Sequence, residues 1–426
     1  MRRGRAAVRL TGMGRPAIQR VELKRKHLER YRALAGEEQI AELRALGREL
    51  RGLRVLELSA TATGGGVAEM LASLVPLERD LGLDAHWSVL TGDAGFFEVT
   101  KQLHNGMQGM AVELTPEDRR EYLHHNERAA RAFEDGWDVV VVHDPQPAAL
   151  ATFLPAREGR WIWRCHVDSS TAHPPVWAFL RPYVECHDHA VFTLPEFVPP
   201  DLAIPTSQLV PAIDPLTSKN RALPGYLARE TVAELGIDLE RPLLLQVSRF
   251  DPWKDPLGVI EVWRRVRETL PELQLALVGS MASDDPEAWR VYRTIARETA
   301  GEPDCFLFTD QMGVTSHEVN ALQRVADIAI QKSVREGFGL IVSETQWKGT
   351  ALVAGRAGGI PLQLEDGVTG RLATSVEEFA AGVLELLQDP ARARAMGAAG
   401  IARVRERFLL PRLLHDQLRL LRSLAR

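Results

Sequence analysis

Short apolar runs alternate along this chain with longer segments whose apolar positions recur every three or four residues. Arg54-Val-Leu-Glu-Leu-Ser59 is the first clear run, followed by the loop Ala60-Thr-Ala-Thr-Gly-Gly-Gly66 and a helix-like segment over 67–81. The same strand–loop–helix order returns at Trp137-Asp-Val-Val-Val-Val142, Trp161-Ile-Trp-Arg164 and Ala190-Val-Phe-Thr193. Near-continuous β-branched runs with helices between them predict parallel strands covered on both faces. Ahead of them, Ile40, Leu43, Leu46 and Leu50 fall at helical spacing, predicting an amphipathic helix over 36–50 behind a basic arm.

A Pro-rich stretch, 195–215, interrupts the pattern and marks the domain boundary. Beyond it, Leu243-Leu-Leu-Gln-Val247, Leu273-Gln-Leu-Ala-Leu-Val278, Cys305-Phe-Leu-Phe308, Ile328-Ala-Ile330 and Ala351-Leu-Val353 read as strands. Helices fit between and after them over 257–269, 285–299, 376–388 and 391–426. The expected architecture is α/β: two doubly wound, Rossmann-like domains facing a deep cleft. The N-terminal arm and helix take 1–50, the first domain 51–214, the second 215–405, and a C-terminal helix over 406–426 can pack back on the first domain. Ligands of such sheets sit outside the carboxyl ends of the strands.

Composition narrows the function. Lys+Arg 52 against Asp+Glu 57 give a net charge of −5 over 426 residues, which argues against non-specific nucleic-acid binding. Three cysteines, none in a C-x-x-C pair, make no disulfide framework. No signal-peptide core and no membrane-spanning apolar stretch are visible, so a soluble, cytoplasmic protein is expected.

Candidate chemistry gathers at predicted strand ends. In Glu336-Gly-Phe-Gly-Leu-Ile-Val-Ser-Glu344, two carboxylates stand eight apart around a Gly-x-Gly turn. Gly337 and Gly339 permit close backbone approach, and a helix starting near Leu340 offers free N–H groups to a diphosphate. Glu344, two turns along, would meet a ribose; the alternative is a strand–turn–helix with two solvated glutamates. Arg249 and Lys254, in Ser248-Arg-Phe-Asp-Pro-Trp-Lys-Asp-Pro256, can neutralise a diphosphate, or simply pair with Asp251 and Asp255. Thr63-Gly-Gly-Gly66 lacks G-x-G-x-x-G spacing, so it is either a phosphate- or sugar-facing loop or a tight turn. His143-Asp-Pro-Gln146 and Arg164-Cys-His-Val-Asp168 end two strands, so Asp144, Gln146, His166 and Asp168 share one edge and suit sugar hydroxyls. His187-Asp-His189 looks like a metal pair but has no evident third ligand. His104, His124, His125 and His173 are expected at the surface or cleft rim. Trp161, Trp163, Trp177 and Trp253 are expected in the core rather than stacked on a sugar.

The pairing of Ser248-Arg249…Lys254 with Glu336-x7-Glu344 resembles the retaining GT-B glycosyltransferases grouped with glycogen synthase and sucrose synthase in glycosyltransferase family 4. The resemblance covers essentially 54–418. Within that group the segments 143–146, 164–168 and 248–256 look like the trehalose glycosyltransferring synthases. It implies that Arg249 and Lys254 grip the donor diphosphate, Glu344 holds the ribose and Glu336 lies at the transferred sugar. It places the N–H groups of Gly337, Phe338 and Gly339 on donor glucose and those of Leu340 and Ile341 on phosphate. Gly64 and Gly65 approach donor and acceptor. His166 stands beside the reacting carbon and Asp144 on the acceptor glucose, with Gln146 and Asp168 nearby. The base would rest near Gly279, Gln311, Met312 and Val314.

The implied reaction joins UDP-glucose or ADP-glucose to free glucose with retention, making trehalose in a reversible transfer. No cofactor is required and Mg2+ is at most stimulatory; partners are small molecules, and the N-terminal helix either mediates a homodimer or covers the first domain. A trehalose phosphorylase, a sucrose-type synthase, a sugar-nucleotide epimerase and a non-catalytic nucleotide-sugar binder remain as alternatives.

Overall fold

The computed structural model describes residues 17–281 and 287–425. The basic arm up to residue 16 and the start of the helix expected over 285–299 lie outside them. Seven strands make the first sheet: β1 (Ile18–Arg20), β2 (Arg54–Ser59), β3 (Asp84–Leu90), β4 (Val139–His143), β5 (Arg160–Arg164), β6 (His189–Phe192) and β7 (Thr206–Gln208). Their order is β1-β3-β2-β4-β5-β6-β7. All pairs are parallel except β1 with β3. That antiparallel edge strand lies within the segment expected to hold only an arm and a helix. Its three residues are too few to show a period. Helices α1 (Arg32–Glu49), α2 (Gly66–Asp80), α3 (Ala94–Met107), α4 (Pro116–Arg131) and α5 (Pro174–Val184) cover the sheet. Gly36, at φ 83°, kinks α1 where the amphipathic pattern begins.

The second sheet holds β8 (Leu243–Arg249), β9 (Gln274–Ser280), β10 (Cys305–Thr309), β11 (Ile328–Gln331), β12 (Ala351–Gly355) and β13 (Arg371–Ala373), ordered β10-β9-β8-β11-β12-β13 and all parallel. Helices α6 (Gly225–Glu234), α7 (Pro256–Arg267), α8 (Ala288–Glu298), α9 (Ser316–Val325), α10 (Leu340–Trp347), α11 (Ile360–Gln363), α12 (Val376–Gln388) and α13 (Pro390–Arg407) surround it. In both sheets the strand order reverses beside the first-formed parallel strand: between β2 and β4, and between β8 and β11. Those are the crevices in which doubly wound sheets bind ligands.

The helices expected over 391–426 separate at Phe408 and Leu409 into α13 and α14 (Leu410–Leu424). At the break Ile213 forms a parallel bridge with Leu409, so the chain crosses between the halves twice, side by side. Asp214 anchors this crossing to the first half, accepting from Tyr31 Oη at 3.0 Å, Ser73 Oγ at 2.8 Å and Lys26 Nζ at 2.5 Å. Helix α14 then lies on the first half, where Leu410, Leu413, Leu414, Leu418 and Leu421 join a core cluster with Leu43, Leu46, Leu71 and Leu74.

Candidate active site

On the second half, β8 delivers Arg249 to the crevice. Asp251 then caps a short turn, accepting from Trp253 N at 2.9 Å, and Asp255, at φ 44°, caps α7 through Gly258 N at 3.0 Å. The two caps fold the loop back so that Lys254 returns toward the β11 edge, where its Nζ lies 2.5 Å from Glu336 Oε2. Ser333 Oγ donates to the same oxygen at 3.2 Å. Arg249 Nη2 stands 3.5 Å from Asp251 Oδ2, and Lys101 reaches that oxygen from α3 of the first half at 2.9 Å. Burial pushes the Asp251 carboxyl up, but Lys101, Arg249 and Lys254 outweigh it and hold it well below the usual carboxylate range.

The turn after Glu336 is packed backbone on backbone. A Cβ at Gly337 would sit 1.8 Å from the carbonyl oxygen of His166, so only glycine lets the two halves meet there. Gly339, at φ 82°, opens α10, and Gln363 Nε2 donates to the Phe338 carbonyl at 2.5 Å. The Phe338 ring points away from the crevice into the cluster with Phe408 at the double crossing. Gly358 and Gly359 press on the carbonyls of Glu336 and Gly337; that Gly-Gly pair following β12 was a readable signal of close approach that sequence reasoning missed. Leu340 and Ile341 begin α10, half-buried. Glu344 is 1% exposed, and its Oε2 stands 3.0 Å from Lys219 Nζ, which also reaches Glu69 of α2 at 3.1 Å. The carboxylate of Glu344 is therefore already engaged by Lys219.

On the first half, Gly64 (φ 86°) and Gly65 turn the chain into α2. Gly66 lies against α10: a Cβ there would be 3.1 Å from Leu340 Cδ1. The N-termini of α2 and α10 thus meet across the crevice, each with backbone N–H groups outside its helical ladder. Asp144 takes the left-handed conformation, φ 62°, with Oδ1 accepting from His166 N at 2.8 Å. Burial pushes its carboxyl up to about 6 against the pull of the His166 N–H, His143, Arg164 and Arg249. His166 Nε2 lies 2.9 Å from His143 Nδ1, whose Nε2 lies 2.6 Å from Glu57 Oε2. Burial, Arg164 and His143 push the His166 imidazole well down.

Other residues fall differently. Gln146 has its side-chain oxygen buried without a partner, beside Asn126, which donates to the Gln146 carbonyl. Asp168 is committed elsewhere: it accepts from Ser170 Oγ at 2.6 Å and faces Arg335 at 3.5 Å across the halves. Gly279 closes β9, and its missing Cβ makes room for the Phe250 ring, which a methyl would approach to 2.2 Å. Gln311 and Met312 are exposed at the end of β10, while Val314 is buried. His124 is exposed, but His125 is not: it is 2% exposed, stacked on Phe96 at 3.9 Å, because α4 turns that face onto the core. His104 faces Lys101, Arg249 and Lys254, and burial with those cations pushes it down to about 3. His187 bonds the carbonyls of Tyr183 and Val184, and His189 bonds Ser207. Among the described residues no group of three or more metal-type side chains gathers. Trp161 and Trp163 are core residues, whereas Trp253 Nε1 donates to Asn105 across the crevice at 3.0 Å. Lys101, Glu57 and His143 were missed in the sequence, although a glutamate inside the apolar run 54–59 was a visible oddity. No described helix is long and apolar enough to cross a membrane.

Comparison with known proteins accounts for both halves. The model for "Trehalose synthase, N-terminal domain" matches residues 57–199 and that for "Glycosyl transferases group 1" matches 228–403. Trehalose synthase of Rubrobacter xylanophilus is 50% identical over 413 residues, covering 96% of this chain and 99% of the relative. That of Pyrococcus horikoshii is 42% identical over 404 residues, covering 94% and 97%. Among solved structures, a UDP-forming α,α-trehalose-phosphate synthase from Burkholderia xenovorans superposes with a TM-score of 0.70 at 15% identity, over 88% of this chain and 100% of its own. With a GT-B architecture, and sequence relationship running through both halves, the chain belongs to the trehalose synthase family of glycosyltransferases.

Proposed function

We propose that the protein transfers glucose from UDP-glucose or ADP-glucose to free glucose, with retained configuration, to give trehalose reversibly. The observation that carries this reading is the contact of Gly337 with the His166 carbonyl. It sets the Arg249–Lys254–Glu336 group of one half directly against the Asp144–His166 group of the other.

Arg249 and Lys254 take the diphosphate, and the N–H groups at the start of α10 add the positive end of a helix dipole. Glu336, released from Lys254 as phosphate takes over that cation, accepts from hydroxyls of the transferred glucose. Glu344 takes the ribose. Asp144, an acceptor when ionised, orients the second glucose. The bond from C1 to the phosphate oxygen breaks as the bond from C1 to the acceptor oxygen forms on the same face, and the acceptor proton passes to the leaving phosphate. Arg249 and Lys254 stabilise the charge that develops there, which is where such groups act most strongly. They supply the counter-charge themselves, so added Mg2+ is at most stimulatory. The close contact of the halves excludes water and limits hydrolysis of the donor.

The test is to incubate the protein with each nucleotide sugar, with and without glucose and with a chelator, and to separate trehalose chromatographically. Trehalose only in the presence of glucose supports the reading. Nucleoside diphosphate released without trehalose points to another acceptor. No consumption of either donor, with trehalose consumed on addition of phosphate, replaces the reading with a phosphorylase.

A further inference from the structure

The segment joining the halves sets two adjacent polar residues, Lys219 and Asn220, against α10, and they re-sort its charges. Glu344 and Lys348 stand one turn apart, the spacing at which a glutamate and a lysine pair along a helix. Instead Lys348 Nζ lies 2.7 Å from Asn220 Oδ1 and 2.7 Å from Gln323 Oε1 of α9. Glu344 goes to the neighbouring residue of the joining segment, Lys219, whose Nζ stands 3.0 Å from Glu344 Oε2. Burial pushes Lys348 down to about 7 against the pull of Glu344. At Lys219 burial acts in the same direction, but Glu344 and Glu69 outweigh it and hold that ammonium above its usual range.

The ammonium is not shared evenly. It donates to both oxygens of Glu69, at 3.1 and 3.2 Å. Toward Glu344 it offers charge alone, because Oε2 there is buried without a hydrogen bond of normal geometry. A buried carboxylate oxygen lacking a donor is costly, and a hydroxyl would satisfy it. Glu69 lies in the first turn of α2 on the first half, and its side chain is 48% exposed. It can therefore keep the ammonium at the edge of the crevice when Glu344 takes another partner.

We propose that Lys219 and Glu69 are positioning residues for the donor ribose: a ribose hydroxyl takes over Glu344 Oε2, and Lys219 turns wholly onto Glu69 without losing its counter-charge. This deepens, and rests on, the reading of Glu344 as the ribose residue. Lys219 competes with the ribose for Glu344 and so limits how tightly the nucleoside diphosphate product is held. Glu69 makes the exchange possible, and because it belongs to the other half, the exchange operates only while the halves are together.

Titration calorimetry of the full chain with UDP, ADP and their 2′,3′-dideoxy counterparts tests this. At pH 8 Lys348 is largely uncharged and cannot stand in for Lys219, and a Glu69 carboxyl pushed up by burial is more fully ionised. Lys219→Met removes the competitor and should tighten the ribonucleotides about tenfold, whereas Glu69→Gln leaves Lys219 to Glu344 and should weaken them about fivefold. The dideoxy nucleotides offer no hydroxyl, so neither variant should move them more than about twofold. Both shifts should vanish in a Glu344→Gln background. Shifts of the same sign, or shifts shared by the dideoxy nucleotides, would make the two residues simple ties between the halves and overturn the proposal, as would unchanged affinities in both variants. If Lys219→Met fails to fold, Glu69→Gln alone decides by the same criteria. A preference for ribonucleotides that survives Glu344→Gln, or no binding of either nucleotide, overturns the ribose reading together with the proposal. A preference abolished by Glu344→Gln without the opposite shifts overturns the proposal alone.

Discussion

On the first-half wall of the crevice the polar groups are held from behind. His166 is fixed through His143 to Glu57, and Asp144 accepts the His166 N–H from a left-handed turn. On the second-half wall the corresponding groups hold one another: Lys254 is on Glu336, Arg249 is on Asp251, and Glu344 is on Lys219. On the proposed function the first wall can receive a sugar without giving up these internal contacts. On the proposed function the second exchanges partners, each internal ion pair giving way to phosphate or sugar, so its binding energy is a difference between two sets of charged contacts. An acceptor that is neutral suits the first arrangement, and an anionic donor suits the second.

Substitutions separate the two kinds of wall. Arg249→Ala should lower turnover at least about a hundredfold with folding intact, the usual scale for a group that stabilises developing charge. Retention of more than a third of the activity by steady-state assay would remove Arg249 from the diphosphate. Gly337→Ala tests where the walls touch. Its methyl has nowhere to go but into the His166 carbonyl, so the halves must separate and kcat should drop on the order of a hundredfold. Gly66→Ala, which meets only the movable end of Leu340, should cost far less.

Asp144→Asn should raise the KM for glucose about tenfold and leave donor binding, measured by calorimetry, nearly unchanged. Equal loss of both would move Asp144 out of the acceptor site. Because burial holds this carboxyl up to about 6, the accepting, ionised form is lost as pH falls through 6, well above the ordinary range. Glucose KM should therefore climb below that pH in the wild type and stay flat in Asp144→Asn. The sign for stability is opposite. A raised carboxyl takes up its proton in the folded chain before the unfolded one, so its contribution is least favourable above 6 and improves as pH falls toward 3.8. Asp144→Asn should accordingly raise the unfolding midpoint at neutral pH.

The smallest effect on turnover is expected from Lys101→Met, which leaves Asp251 to draw Arg249 away from the donor. Donor KM should rise several-fold, and the loss of one partner of a buried pair should cost about 3 kcal/mol in denaturant unfolding. An unchanged donor KM would confine Lys101 to holding the halves together.

Much of this could be read in the residues, unevenly. The strands announced themselves because parallel strands buried on both faces need continuous apolar runs, and β2, β4, β8 and β9 have them. Arg249, Lys254 and Glu336 stood out as charges directly beyond such runs, and the structure brings them together with Asp144 and His166. Three-residue edge strands such as β1, β7 and β13 carry no period to detect. Glu57 was visible as an oddity, yet its partners His143 and Gln417 lie 86 and 360 positions away, a separation no local pattern encodes. Glu344 shows the converse. Its spacing from Glu336 was legible, but not that Lys219, from the segment joining the halves, would already occupy its carboxylate.

The return of α14 has a consequence for how the molecule is made. The ribosome releases α1, α2 and β2 early and α14 only after the whole second half, yet these segments share one core cluster. The first half can collapse during synthesis, but it holds an uncovered apolar groove, and Glu57 lacks its Gln417 donor, until the second half has emerged. The core of the first half is therefore completed only after the second half has been made. A stalled or prematurely ended product would carry a sticky, unfinished N-terminal half, and chaperone demand should track the delay before those last helical turns arrive.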